Sequence, residues 1–484
     1  MTGGWITVLV LLADLLIRLG LSVRVIMRKL PVGTTMAWLP VVALVPVAGA
    51  IIYLTFGELR LGRQRAERAA RLHGPYQDWL GSLRQRATVD WSALADNSRA
   101  LANTAEAAIG IPALPGNQIE LIDTWQHVFD QVIRDIDSAK RTCHFVFYIW
   151  NCGGRADDVA EALIRAAARG VTCRVLVDQL GSRPFLKSPL AQSMRESGIE
   201  LHAALPSGLV RSLFSRFDLR MHRKIIIVDG RVAYIGSLNL VDPRYFKQDA
   251  GVGQWIDAMA RIEGPAVEPL GITFLEDWAL ETGATLEQLE ESGDVHPLTP
   301  RGIAAVQIVP SGPATPGDAM RRVLVASIYG ATEELILTTP YFVPDEVLLA
   351  ALISAVQRGV EVTLVVPAEV DSVLVRYASR AFQGDLVQAG IRVMKFKGGL
   401  LHTKSATIDG ESSLFGSLNL DPRSLRLNFE ITALIYGREF TQRLRKLQQP
   451  YIADSTQLDL ETVQSRSAAR QFAENAARLA GPLL

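Results

Sequence analysis

The chain carries His222-Arg-Lys-Ile-Ile-Ile-Val-Asp229 and, fourteen residues after that histidine, Gly236-Ser-Leu-Asn239. It then repeats the pattern as His402-Thr-Lys-Ser-Ala-Thr-Ile-Asp409, followed at the same distance by Gly416-Ser-Leu-Asn419. The uncharged runs Ile225 to Val228 and Ser405 to Ile408 read as short buried strands, and alternation along a strand puts His222 and Lys224 on one face. With seven His and nine Lys in the chain, chance supplies fewer than about one H-x-K-x4-D match in a hundred such sequences. Two copies with one trailer therefore point to a duplicated site. An imidazole beside a fixed cation is suited to attack on a phosphate diester, and Asn239, Asn419, Ser237 and Ser417 are candidate hydrogen-bond donors to its oxygens.

The duplication extends beyond the motif. Residues 159–178 and 348–367 both read as an amphipathic helix closed by Arg-Gly and followed by a buried strand. A strand precedes each, His144 to Trp150 and Glu334 to Thr339, and a further helix and strand follow. Alternating strands and helices indicate α/β layering in each half. The expected organisation is a hydrophobic segment at 1–60, a basic helix and linker at 61–117, a first half at 118–281, a second half at 302–452 and a terminal helix at 453–484. Within the second of these, 96–117 reads as linker. Pairing of the halves about a pseudo-twofold axis would make one site from two half-sites.

The copies differ in one respect. Gly198 precedes His222 by 24 residues, whereas Gly390 precedes His402 by 12. The extra segment places Leu209, Val210, Leu213, Phe214 and Phe217 on one helical face and Arg211, Ser212, Ser215 and Arg216 on the other. It reads either as a membrane-surface helix or as one packed on the core. Residues 463–484, where Arg466, Arg470 and Arg478 interleave with Phe472, Leu479 and Leu483, read as a second interfacial helix or a solvated terminal one.

Met36 to Gly57 runs 22 residues without a charge, about 33 Å of helix and so enough for one bilayer crossing. Trp5 to Ile26 is interrupted by Asp14 and Arg18, which lie four apart and can pair. It reads as a second span or an interfacial helix. Arg60, Arg63, Arg65, Arg68 and Arg71 outnumber the basic residues of the connector, which favours a cytoplasmic catalytic portion of a multi-pass protein. Formal net charge is zero, which argues against a nucleic-acid partner. Cys143, Cys152 and Cys173 lack C-x-x-C spacing and read as free thiols of a reducing compartment. Scattered histidines give no metal site, and no cofactor is expected. A homo-oligomer is compatible with the sequence.

These motifs resemble the signature of the phospholipase D superfamily. The stretch 236–257, Gly398-Gly-Leu-Leu-His-Thr-Lys404, Leu418-Asn-Leu-Asp-Pro-Arg-Ser-Leu425 and Asn428-Phe-Glu430 are similar to segments of bacterial cardiolipin synthases. The resemblance implies an α/β fold of duplicated phospholipase D-like domains with a pseudo-twofold shared active site, preceded by an N-terminal transmembrane helical hairpin in the bacterial inner membrane. It implies His222 as nucleophile, His402 as acid/base, Lys224 and Lys404 as phosphate-neutralising cations, and Asp257 and Glu430 as carboxylates orienting the histidines. Asp229 and Asp409 complete the catalytic motif, either bracing the site or forming a turn before Gly230 and Gly410. Arg244 and Arg423 hold a lipid phosphate or stabilise a turn. The implied reaction moves a phosphatidyl group between phosphatidylglycerol molecules, with anionic membrane lipids as partners. Competing readings are phospholipase D-type hydrolysis and, in a different class, a membrane-tethered nuclease.

Overall fold

The computed structural model describes every residue except 1, 31, 46, 59, 207–215, 217, 286–287, 289–294, 314, 316–317 and 480–484. The chain divides into two compact units, Met1–Ala66 with Ser207–Leu219, and Glu67–Pro206 with Arg220–Leu484.

In the first unit, the helix Thr2–Met27 is followed by Val32–Leu44, Ala48–Ile52 and a wide turn at Tyr53–Gly57. The expected strengths of the two hydrophobic segments are reversed. Among the described residues, Gly4–Met27 alone forms an unbroken helix long and apolar enough to cross a membrane, whereas the helices within 36–57 are shorter. The break surrounds Pro46 in the sequence and includes Val47 at φ 54°, where a helix cannot continue. Asp14 and Arg18 do pair along the helix, and Arg18 Nη1 also donates to the Ala43 carbonyl at 3.0 Å. The segments are joined by Val25, Val42 and Tyr53, and by Glu58, which accepts from Arg24 at 2.6 Å, Arg28 at 3.2 Å and the Tyr53 hydroxyl at 3.0 Å. The surface helix expected over 209–220 falls largely outside the described residues.

The second unit is built on one fifteen-stranded sheet. Its first half runs Glu200–Ala204, Thr172–Asp178, Thr142–Phe147, Ile225–Val228, Val232–Gly236, Met259–Glu263 and Leu114–Ile122 across the sheet. The second half runs Ser455–Gln457, Arg392–Phe396, Glu361–Pro367, Glu334–Thr338, Ser405–Ile408, Ser412–Gly416, Glu430–Tyr436 and Ala304–Ser311. Each half has a parallel trio and an antiparallel set, and the halves join where Leu114–Ile122 pairs antiparallel with Ala304–Ser311. The inner parallel strands Thr142–Phe147, Thr172–Asp178, Glu334–Thr338 and Glu361–Pro367 are buried on both faces over most of their length, as crossover helices require. Cys143, Phe145 and Phe147 pack against Phe129, Val159 and Leu163, while His144 on the opposite face stacks on Phe274 at 4.4 Å. The repeated Arg-Gly closures are real helix ends: Gly170 and Gly359 take φ 87° and 92°, and the amides of Val171 and Val360 return to Ala166 and Ala355.

Residues 96–117 are not a linker. They form the helix Asp96–Ile109 and the start of the strand Leu114–Ile122, and Leu101, Ala102 and Ala105 enter the core with Val309 and Met320. Alanine-rich packing gives a weak hydrophobic signal, so the periodicity was hard to read.

Of the two readings of Asp229 and Asp409, the turn before Gly230 and Gly410 is the one their hydrogen bonds support. Each follows a four-residue strand, roughly 16 Å beyond the motif lysine at strand rise. Asp229 accepts from the amides of Lys140, Arg141 and Thr142, and Asp409 from those of Thr332, Glu333 and Glu334. Both have left-handed φ, 53° and 54°, so each carboxylate makes the turn and fastens the start of the neighbouring strand. Asp409→Ala should lower stability by about 1–3 kcal/mol, with Asp409→Asn in between because Asn tolerates this backbone conformation. Thermal unfolding that ranks alanine equal to wild type would contradict this role.

Candidate active site

The motif histidines meet at the seam between the halves because the chain crosses over there. Just before its buried strand, each motif pairs with backbone of the opposite half. His222 N donates to the Phe429 carbonyl at 2.9 Å, and His402 N donates to the Ile256 carbonyl at 2.8 Å. That pairing carries one carboxylate across in each direction. His222 Nδ1 lies 2.8 Å from Glu430 Oε2, and His402 Nδ1 lies 2.7 Å from Asp257 Oδ1. Each carboxylate therefore orients the histidine of the other half and leaves Nε2 for chemistry.

Lys224 and Lys404 are held identically. Their Nζ atoms donate to the carbonyls of His222 and His402 at 2.8 and 2.6 Å, which fixes each ammonium beside its imidazole. Both imidazoles and both lysines are buried. Burial drives His222 and His402 down to about 4, with Glu430 and Asp257 opposing and the lysines assisting the fall. Burial likewise brings Lys224 down to about 8 and Lys404 well below its ordinary value. Burial raises Asp257 and Glu430, but the facing histidine and lysine charges outweigh it and leave both below the usual carboxylate value. At neutral pH the imidazoles are thus uncharged and nucleophilic.

The asparagines and serines separate in role. Asn239 accepts from Ile149 N at 3.2 Å, and its Nδ2 is buried with no protein acceptor among the described residues. Asn419 has a buried Oδ1 with no partner there, and a half-turn of its amide would present Nδ2 instead. Ser237 and Ser417, expected at the phosphate, serve the orienting carboxylates. Ser417 Oγ donates to Glu430 Oε2 at 2.6 Å, and Ser237 Oγ bonds the backbone of Ala258, beside Asp257. Arg244 is a turn residue, bonded twice to Asp242 and lying 4.9 Å from the Trp125 ring centre. Arg423 is near enough to Tyr148 to lower that phenol's pKa against the larger effect of burial.

Several residues escaped the sequence reading. Tyr148 lies 5.0 Å from the His222 ring, and Trp255 lies 4.4 Å from the His402 ring. Asn428 donates to Glu430 Oε1 at 3.2 Å. Arg223 points away from its neighbours, as alternation requires. It donates to the Glu430 carbonyl at 3.0 Å and the Ser311 carbonyl at 3.3 Å, and it pairs with buried Asp277. Asp178 accepts from Met221 N at 2.9 Å and so sets the approach to His222. Only Asp178, at the end of a repeated strand, carried a readable signal. In Glu430→Gln, histidine-selective NMR should find His222 titrating lower still and His402 nearly unmoved. A fall at His402 instead would contradict the crossed pairing.

A family model described as cardiolipin synthase, PLD-like domain, matches residues 132–261 and again 324–449, and one described as phospholipase D-nuclease N-terminal matches 17–58. Cardiolipin synthase A of Erwinia tasmaniensis is 43% identical over 465 residues, covering 96% of both chains. Cardiolipin synthase A of Yersinia pseudotuberculosis is 44% identical over the same length and coverage. Among solved structures, phosphatidylserine synthase of Haemophilus influenzae aligns with TM-score 0.59 at 16% identity, covering 79% of this chain and 100% of its own, a likeness of fold. With both half-sites intact and an apolar helix at its N-terminus, the chain belongs to the cardiolipin synthase family of the phospholipase D superfamily and is a membrane-associated phosphatidyltransferase.

Proposed function

We propose that the protein joins two phosphatidylglycerol molecules into cardiolipin and glycerol through a phosphatidyl-histidine intermediate. The observation carrying this reading is the pair of neutral, buried imidazoles, each aimed by a carboxylate of the other half and flanked by a tethered lysine. His222 Nε2 attacks the phosphorus of the first phosphatidylglycerol, and the bond to the glycerol headgroup oxygen breaks. His402, which takes up a proton as the anionic diester enters, gives that proton from Nε2 to the oxygen, releasing glycerol and leaving His402 neutral. The primary hydroxyl of a second phosphatidylglycerol then loses its proton to His402, attacks the phosphorus and frees His222. Lys224 and Lys404, with the Asn239 amide, offset charge on the non-bridging oxygens.

The unequal dyads support this order. Glu430 accepts from His222, Ser417 and Asn428, so its charge is shared. Asp257 accepts from His402 and is further stabilised by Ser237, whose closer bonds go to the Ala258 backbone, and it has no counterpart to Asn428 among the described residues. The His402 side is also apolar: Trp255 packs with Ile149, Val241, Val252 and Leu400, bordered by Phe246 and Val370. That lining favours a lipid hydroxyl over water as acceptor and so transfer over hydrolysis. We further infer a multi-pass bacterial inner-membrane protein with its catalytic unit in the cytoplasm, which protease protection of a C-terminal tag in oriented vesicles would test.

Purified protein given phosphatidylglycerol alone should release one glycerol per cardiolipin on thin-layer analysis. Phosphatidic acid as sole lipid product would make it a hydrolase. Because Lys224 loses its proton above about pH 8, kcat/KM should fall on the alkaline side, and any activity of Lys224→Arg should persist to higher pH. An unchanged alkaline limb in both Lys224→Arg and Lys404→Arg would remove these lysines from phosphate binding.

A further inference from the structure

The C-terminal helix Ala468–Leu479 packs on the helix Val373–Gln388 with its polarity reversed. Its buried side is charged: Glu474 is 2% exposed and accepts from Arg466 at 3.0 Å and Arg470 at 3.2 Å. Arg466 also donates to the Arg380 carbonyl at 2.9 Å and to Gln383 at 3.2 Å. Ala477 packs inward with Ala378 and Phe382, but the large apolar residues face outward. Phe472 is 76% and Leu479 83% exposed, and with exposed Ala476 they recur at i, i+4 and i+7, forming one stripe. Val373 and Leu374, at the start of the underlying helix, are exposed as well.

Beneath the stripe, cations converge in excess. Arg376, Arg380, Lys395, Arg466 and Arg470 gather with Glu369 and Glu474, and with the neighbouring Arg478–Asp385 pair the described charges stand at six cations against three carboxylates. The Arg380 and Lys395 side chains make no hydrogen bond or ion pair among the described residues. Burial, then the neighbouring guanidinium groups of Arg380 and Arg466, bring Lys395 down to about 8. Partly buried cations in excess over their neighbouring carboxylates are complementary to phosphate anions. A helix is about 10 Å across with its side chains. With the stripe among acyl chains, the cations on its far side therefore lie at headgroup depth.

We propose that this face is a docking surface for an anionic lipid bilayer, with Phe472, Ala476 and Leu479 entering the acyl layer and Arg380, Lys395 and Arg470 meeting lipid phosphates. A second copy of the chain fits less well, since a twofold contact would set one cation cluster against another.

The test uses the full chain in nanodiscs, with a nitroxide on Phe472→Cys in a Cys152→Ser background. In discs containing phosphatidylglycerol the label should be reached several-fold better by oxygen than by a water-soluble nickel chelate. In pure phosphatidylcholine that preference should weaken, and Arg380→Glu/Lys395→Glu should abolish it. Because those partly buried positions bear on folding, Phe472→Ser/Leu479→Ser, read from a label on Ala476→Cys, must show the same loss. A label accessible to nickel in phosphatidylglycerol discs, or a preference retained in either variant, overturns the proposal. So does dipolar broadening between labels, which reports self-association. Protection produced by inorganic phosphate alone, without an oxygen preference in lipid, would make the cluster a soluble-phosphate site and overturn it too.

Discussion

Two hydrogen bonds across one seam, Glu430 to His222 and Asp257 to His402, are the constraint to which the rest of the second unit conforms. Neither half contains a complete dyad. The continuous sheet, the Leu114–Ile122 to Ala304–Ser311 junction and the short parallel bridges at Met221–Phe429 and Leu400–Trp255 all keep the seam in register. A slip of one residue at either bridge would turn a carboxylate away from its imidazole. Burying charge at such a seam is tolerable because every member is paired or tethered.

The electrostatics then follow from a small count. The two motif lysines face two carboxylates, and burial lowers the lysines and keeps both imidazoles uncharged. A phosphate diester entering this set carries one negative charge, which favours uptake of one proton by an imidazole. One histidine can then serve as acid while the other stays a nucleophile, without separate pKa tuning of the empty site. The enclosing aromatics Tyr148 and Trp255 keep the local dielectric low, which strengthens each of these interactions.

Much of this was legible in the residues. The doubled motif located both histidines and both lysines, and the repeated helix–Gly–strand segments gave the α/β halves. The carboxylates could be named, but sequence separations of 35 and 28 residues say nothing of crossing, because each lies near its own motif in the chain and near the other in space. A hydroxyl two residues before an asparagine looks equally able to face phosphate, whereas the Ser237 and Ser417 hydroxyls bond Ala258 and Glu430. Only the strand register turns it towards Ala258 or Glu430. Asp229 and Asp409 sit in the motif for the turn they make, and a motif does not separate fold from chemistry. Absence of charge marks both hydrophobic segments alike, whereas the helix end before Ala48, with Val47 at φ 54°, is a matter of backbone geometry.

The central claim is one site with divided labour, and the intermediate tests it most directly. Acid-quenched enzyme, mixed briefly with phosphatidylglycerol radiolabelled in its phosphate, should carry label on a peptide containing His222. His402→Ala should accumulate that label if the first transfer still proceeds slowly, and His222→Ala should carry none. Label on His402, or cardiolipin formed by His222→Ala, would contradict the account.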